Sequence, residues 1–413
     1  MPNAFSFVFL AACLLTASTR LWLARRQMAH VAAHRAQVPA DFSARIELAA
    51  HQKAADYTLA RTSLGRVSLA LDLAFLLALT LGGGLQRLHE LWLAELPGIA
   101  YGVALTFSVL ALGALLDLPL ALYRQFVIEE RFGFNRMSVR LFFADQAKAA
   151  LLAVLIGVPV LGIVLWLMEA MGANWWWSVW LFWCTFNLLV VFVYPSWIAP
   201  LFNKFTPLDD DSLRQRVEAL LARSGFASSG LFVMDGSRRS SHGNAYFTGY
   251  GRNKRIVFFD TLLNRLQPTE VEAVLAHELG HFKHRHVLKR VVLHFAGALA
   301  LLALLGQLID ERWFYLGLGV TTMNTAIGLQ LFLLVCPVFT FMLTPLFSLA
   351  ARRDEFAADR YAAEQVSASE LISALVKLYE DNAATLTPDP LHSLFYDSHP
   401  PAGLRIARLQ ESL

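Results

Sequence analysis

Long apolar runs alternate with short polar stretches along most of this chain. A bilayer crossing takes about 20 residues of helix, and seven runs reach that length: 4–23, 66–86, 99–123, 147–170, 175–195, 288–310 and 322–350. Between the fifth and sixth runs the pattern changes. Residues 209–224 read as an amphipathic helix opened by Asp209, Asp210 and Asp211, and Leu231–Met234 reads as a short strand. Ala245–Gly249 and Arg255–Phe259 flank the turn residues Gly251 to Lys254 and predict a β-hairpin. Pro268, Thr269 and Glu272 predict a helix start with a capping box. Val271, Val274, Leu275, Leu279 and Phe282 then give that helix a buried stripe. Residues 351–413 read as largely helical. The pattern predicts a mainly α, seven-span membrane protein with a small hairpin or sheet outside the bilayer. Its segments are 1–200 (spans one to five), 201–286 (an insert), 287–350 (two more spans) and 351–413 (a terminal segment).

Composition agrees with this picture. The chain is 56% apolar and 16% charged, against about 25% charged in an ordinary soluble domain. This excludes a soluble globule and makes the lipid bilayer a partner. A net charge of +3 does not suggest a nucleic-acid partner. The basic residues sit in alternate loops: Arg25 to Arg66 after the first run, Arg124 to Arg140 after the third, and again across 196–287. The intervening loops are short and carry little charge. By the positive-inside rule the N-terminus faces out, and the insert and the C-terminal segment face the cytosol. Cys13, Cys184 and Cys336 lie inside apolar runs, far apart, and offer neither a disulfide framework nor a ligand spacing.

The candidate chemistry lies in His277-Glu278-Leu279-Gly280-His281. Histidines four apart share a helix face and can direct two imidazoles at one ion, the H-E-x-x-H arrangement of zinc hydrolases. Glu278, one step around the turn, can hold a water and take its proton as general base. A structural histidine pair is the alternative. Such a site needs a third ligand and an open position. Glu355 is the candidate, on a helix continuing from the last run, at the same membrane face as His281. Asp359, one turn on, is placed to fix a ligand imidazole through its other nitrogen. These residues alone leave Glu355 open between a ligand and a solvated helix end. His284 faces roughly the way His277 does, as a further ligand or an interfacial residue. His399 is followed by two prolines that fix the chain after it.

Several longer motifs in order carry a resemblance. They are Phe126–Asn135, Pro200–Leu208, Asp235–Phe247, the H-E-x-x-H helix, Glu355–Asp359, and Ser398-His399-Pro400-Pro401 followed by Arg405. Over nearly its whole length the chain resembles the CAAX prenyl protease 1 family, integral-membrane zinc metallopeptidases of the a-factor-converting type. The resemblance implies seven helices enclosing a water-filled chamber with the zinc domain at its cytosolic end. It implies one Zn2+ on His277, His281 and Glu355, with Glu278 as base. His399 and Arg405 become substrate or transition-state contacts, and Asn244 and Ala245 part of an edge strand that pairs with the substrate backbone. The substrate class it implies is a peptide or a prenylated protein that loses its C-terminal tripeptide. Ala351 stands where the family often has Ser, away from every candidate ligand. The final residues carry no recognisable retrieval signal, which leans towards a bacterial inner membrane (the endoplasmic reticulum if eukaryotic). Two rival readings are a heat-shock, HtpX-like quality-control protease, which typically has about four spans, and a non-catalytic membrane scaffold or transporter. An intact Glu278 argues against the second, because a purely structural metal site has no use for a base.

Overall fold

The computed structural model describes residues 2–226, 228–248 and 255–411; the turn expected at 251–254 lies outside them. Seven helices are long and apolar enough to cross a membrane: Ala4–His34, Leu48–Leu79, Gly98–Glu129, Val139–Ala170, Gly172–Leu201, His286–Leu308 and Thr325–Gln365. These are the seven expected runs with shifted ends. The first two helices are 31 and 32 residues long. At 1.5 Å per residue that is about 45 Å, well beyond a hydrocarbon core of about 30 Å. The polar stretch expected between them is therefore mostly helix, with a short link at residues 35–47. Hydropathy marks where lipid ends and cannot mark where a helix ends. A short helix, Gly84–Glu95, caps the connection between the second and third spans.

Each span packs on the next and the seventh returns to the first, which closes a ring. The first six spans bury little surface inside the protein, because each has one face towards lipid and another towards the interior of the ring. The third to seventh spans enclose an apolar cavity of about 1050 Å³ lined by Phe107, Leu152, Phe186, Leu301 and Phe332. One end of the ring is tied by its connections. The Asn3 side chain donates to the Trp313 carbonyl at 2.8 Å, and Gln86 contacts Thr321 and Thr322. The insert and the terminal segment sit on the other end.

Those segments form one core around a four-stranded sheet. Its strands are β1 (Phe205–Pro207), β2 (Gly230–Met234), β3 (Ala245–Thr248) and β4 (Arg255–Phe259), in the order β1-β2-β4-β3. β2 and β4 run parallel and the outer pairs antiparallel. The expected hairpin is therefore present, and it leaves β3 at the edge. Ile256, Phe258 and Leu262 meet Val271, Leu275 and Leu279 of the helix Pro268–Lys283, with Leu371 and Leu375 of the helix Ala368–Asp381 behind them. The stripe read from the sequence is buried, Phe282 partly, and burial extends all round this helix from Glu270 to His277. The capping box lies two residues earlier than expected: the Glu270 carboxylate accepts from the Gln267 N–H at 2.7 Å. Glu272 instead pairs with Arg216 and Arg223 of the helix Asp211–Arg223. Gly280 is needed for packing, since a Cβ there would lie 2.8 Å from the Ala358 Cα. That close approach brings the helix carrying Glu355 against the helix carrying His277.

Candidate metal centre

His277, His281 and Glu355 converge, with their donor atoms all within 4.8 Å of one another. His277 Nε2 lies 3.3 Å from His281 Nε2 and 3.4 Å from Glu355 Oε2, and His281 Nε2 lies 3.3 Å from Glu355 Oε1. Zinc holds such ligands at about 2.0–2.1 Å, and tetrahedral angles then put neighbouring donors about 3.3–3.4 Å apart. The observed separations are of that size, with the two histidines facing different oxygens of the Glu355 carboxylate. Glu355 Oε2 is buried and has no hydrogen-bond partner among the described residues, which is costly unless a cation sits in the triangle. The donor set therefore fits a divalent metal with one position left open.

The outer nitrogens are held as well. Asp359 Oδ1 lies 2.8 Å from His277 Nδ1, so that nitrogen carries the proton and Nε2 keeps its lone pair. Arg405 grips the same carboxylate with Nε at 2.8 Å and Nη2 at 2.5 Å. Both side chains are buried, and the carboxylate beside it raises the Arg405 pKa against the effect of burial. Around His281 the arrangement differs. Its Nδ1 meets His286 Nδ1 at 3.0 Å, and His286 Nε2 faces Asp354 Oδ1 at 3.4 Å. With Asp354 favouring the proton on His286 Nε2, His286 Nδ1 is free to accept from His281. Proton positions alternate down this chain and leave His281 Nε2 bare for a metal. His284 ends the helix as its C-cap and is not among the converging donors.

Beside this centre lies a cavity of about 230 Å³ bordered by Asn244, Ala245, His277, Glu278, His399 and Arg405. His281, Glu355 and Asp359 do not line it but contact His277, which does. Burial raises the Glu278 pKa, which suits a carboxylate that must accept and release a proton. His399 is 62% exposed with Nε2 3.5 Å from Glu355 Oε1, on the open side of the centre. Asn244 precedes the edge strand, and its side chain accepts from the Ala245 N–H at 2.8 Å.

Some neighbours were not singled out. His242 stacks on Phe134, lies 3.6 Å from Glu129 Oε2, and meets the Asn382 side chain at 3.0 Å. The Tyr57 hydroxyl donates to the same Glu129 carboxylate at 2.7 Å. This cluster fastens the loop before β3 to the second and third spans. Its signal was Glu129 and His242 lying inside two of the quoted motifs. Spacing alone does not show that they meet.

Residues 27–204 match the family model described as the CAAX prenyl protease N-terminal region with five membrane helices, and residues 207–413 match that of peptidase family M48. The chain is 36% identical over 315 residues to CAAX prenyl protease 1 of Saccharomyces cerevisiae, covering 72% of this chain and 70% of that one. It is 37% identical over 306 residues to a CAAX prenyl protease 1 homolog of Arabidopsis thaliana, covering 73% and 72%. The crystal structure of S. mikatae Ste24p is similar over 99% of this chain and 100% of that chain, with a TM-score of 0.93 at 30% identity. The chain belongs to peptidase family M48, as an integral-membrane metalloendopeptidase of the CAAX prenyl protease 1 kind.

Proposed function

We propose that the metal is zinc and that the protein cuts prenylated peptides near their C-terminus, with the centre facing the cytosol. The observation that carries the zinc reading is the convergence of two imidazole nitrogens, 3.3 Å apart, on the Glu355 carboxylate at 3.3 and 3.4 Å, one of whose oxygens has no hydrogen-bond partner among the described residues. Two neutral imidazoles and one carboxylate form the donor set of a catalytic zinc site. The prenyl reading is supported by the names of the relatives, each called CAAX prenyl protease 1 or its homolog, and by the apolar cavity of about 1050 Å³ among the spans.

When bound, zinc supplies Lewis-acid activation of the scissile carbonyl and of a water. Glu278 takes the proton from the attacking water and passes it to the leaving nitrogen. Asp359 holds His277 in its metal-binding tautomer, and Arg405 holds Asp359. His399 and Arg405 border the space where the tetrahedral oxygen develops and stabilise its charge. The edge of β3 takes the peptide backbone by strand addition. Seven spans set the protein apart from the four-span heat-shock kind.

Elemental analysis of the purified protein, run with hydrolysis of a farnesylated CAAX peptide and its unprenylated twin, tests the proposal. One zinc per chain and faster release of the tripeptide from the farnesylated peptide are expected. Another metal, or equal rates on the two peptides, would refute the corresponding half.

A further inference from the structure

A second cavity, of about 760 Å³, lies next to the catalytic one, between the first two spans and the catalytic segments. The two share Gly243, Asn244 and Asn382 in their walls. Three guanidinium groups line the larger cavity: Arg20 from the first span, and Arg61 and Arg66 from the second. Among the described residues none of the three has a carboxylate within 4.0 Å. Arg20 and Arg66 rest on neutral groups, and Arg61 lies over Tyr57, whose hydroxyl donates to the Glu129 carboxylate. The Arg20 Cζ lies 5.8 Å from the Phe341 ring centre and the Arg61 Cζ 5.4 Å from that of Tyr57, and Arg66 Nη1 lies 3.9 Å from Met28 Sδ. Two arginines close by in the chain are neutralised, Arg26 by Asp389 and Arg35 by Asp56. Against three positive charges the cavity wall carries one carboxylate, Asp397.

A charge on a spanning helix is expensive, and it persists mainly where it faces a cavity and meets a partner. Positive-inside sorting accounts for arginines near this membrane face. It does not account for three of them lining one cavity beside the peptide-cutting centre, none in a direct ion pair among the described residues. A cavity with this excess of positive charge suits an anion, and a peptide substrate brings one. The only anion common to all peptide main chains is the C-terminal carboxylate, and guanidinium groups are its best side-chain partners, binding it bidentately through charge-assisted hydrogen bonds.

We propose that the cavity lined by Arg20, Arg61 and Arg66 is the subsite for the free C-terminal carboxylate of the substrate. The enzyme thereby measures its cut from the chain end, with the peptide running past Asn244 from the metal centre into the arginine cavity. This inference rests on the metallopeptidase reading of the neighbouring centre. It adds how that centre selects a bond close to the C-terminus.

The test uses the full-length protein in nanodiscs of zwitterionic lipid, and one farnesylated peptide made with a C-terminal carboxylate or carboxamide. The readout is the ratio of kcat/KM for acid over amide. A ratio of about 10 to 100, carried by KM, is expected for charge-assisted hydrogen bonds to one carboxylate. The ratio should fall towards one in the triple variant Arg20→Gln, Arg61→Gln, Arg66→Gln, and partway in each single variant. The ratio is taken within each protein, so a partial loss of folded enzyme cancels. Equal rates on acid and amide in the unsubstituted protein would overturn the subsite while leaving the protease intact. So would a preference for acid that survives the triple substitution. The same experiment in discs with anionic lipid distinguishes a headgroup site: if anionic lipid binds through these arginines and no acid preference exists in neutral lipid, the carboxylate subsite is wrong. Failure to cut either peptide would count against the proposed function itself, and the subsite would fall with it.

Discussion

Glu278 is half-buried beside two histidines that point at a shared centre, and its carboxyl group is pushed above the ordinary range by that burial. A base works only when deprotonated, so a raised pKa means that activity is lost at a higher pH as the solution is acidified. The acid limb of kcat/KM is expected above the ordinary glutamate value of about 4.3. Glu278→Ala should retain its metal and lose roughly 10²- to 10⁴-fold in kcat. Metal analysis with a pH–rate profile checks both; a metal-replete variant cutting at the original rate would remove Glu278 from the mechanism. His286 carries a subtler expectation. An asparagine can place its amide oxygen near the position of His286 Nδ1 and go on accepting from His281, whereas a leucine cannot. His286→Leu should lose about 10- to 100-fold in zinc affinity, as for other residues that orient a ligand imidazole, and His286→Asn most of that loss less. Competition with a chromophoric chelator measures it, and equal losses in the two variants would mean that His286 only fills space. The contrast shows what was legible at this scale. His277, Glu278 and His281 announce themselves because one helical turn fixes their geometry. Glu355 needed the resemblance, since 74 residues and two spans separate it from His281. The contact of His286 with His281 went unread because it depends on the junction between two helices at Arg285, which has a positive φ of 56°.

At the level of elements, the edge strand shows how backbone register bears on function. The Asn244 carbonyl accepts from the Phe259 N–H at 3.0 Å, which makes these two a hydrogen-bonded pair. Antiparallel pairs alternate, so the next pair, Ala245 with Phe258, turns its backbone groups away from the ladder. The Ala245 N–H is therefore free for a substrate strand, and the Asn244 side chain occupies it meanwhile. Ala245→Pro removes this donor without breaking a bond to β4, and edge strands tolerate proline. The expected result is nearly unchanged metal content and unfolding temperature with cleavage reduced by at least about 100-fold, on the scale of losing a positioning contact. Cleavage at the normal rate would show that side-chain pockets hold the peptide. The sequence showed the hairpin through its turn residues, but not that β3 is the outer strand. That depends on β2 pairing with β4 across a crossover of twenty residues between Met234 and Arg255. The helix ends escaped for a related reason. Glu272 looked like a cap at the right spacing, and its actual partners, Arg216 and Arg223, lie on a helix more than forty residues away.

For the whole molecule, the ring and the charge pattern make one claim about orientation. Seven crossings put the two chain ends on opposite sides. The tie between Asn3 and Trp313 places the N-terminus with the charge-poor connections. At the other end the Arg136 N–H donates to the Arg239 carbonyl at 3.2 Å, which joins the arginine-rich link after the third span to the catalytic segments. The positive-inside rule then assigns that end to the cytosol. Four exposed positions distinguish the alternatives: Leu91 and Ala173 (the latter at the start of the fifth span) on the charge-poor end, Gln215 and Glu411 on the catalytic end. The three native cysteines lie within spans and give little background. In sealed, cytosol-inside vesicles, a membrane-impermeant maleimide should label Leu91→Cys and Ala173→Cys, and should reach Gln215→Cys and Glu411→Cys only after permeabilisation. The reverse pattern would place the metal centre outside the cytosol, where prenylated proteins are not made available, and the prenyl reading would then fail with the orientation. Labelling of all four before permeabilisation would contradict an odd number of crossings, and with it the closed ring on which both cavities depend.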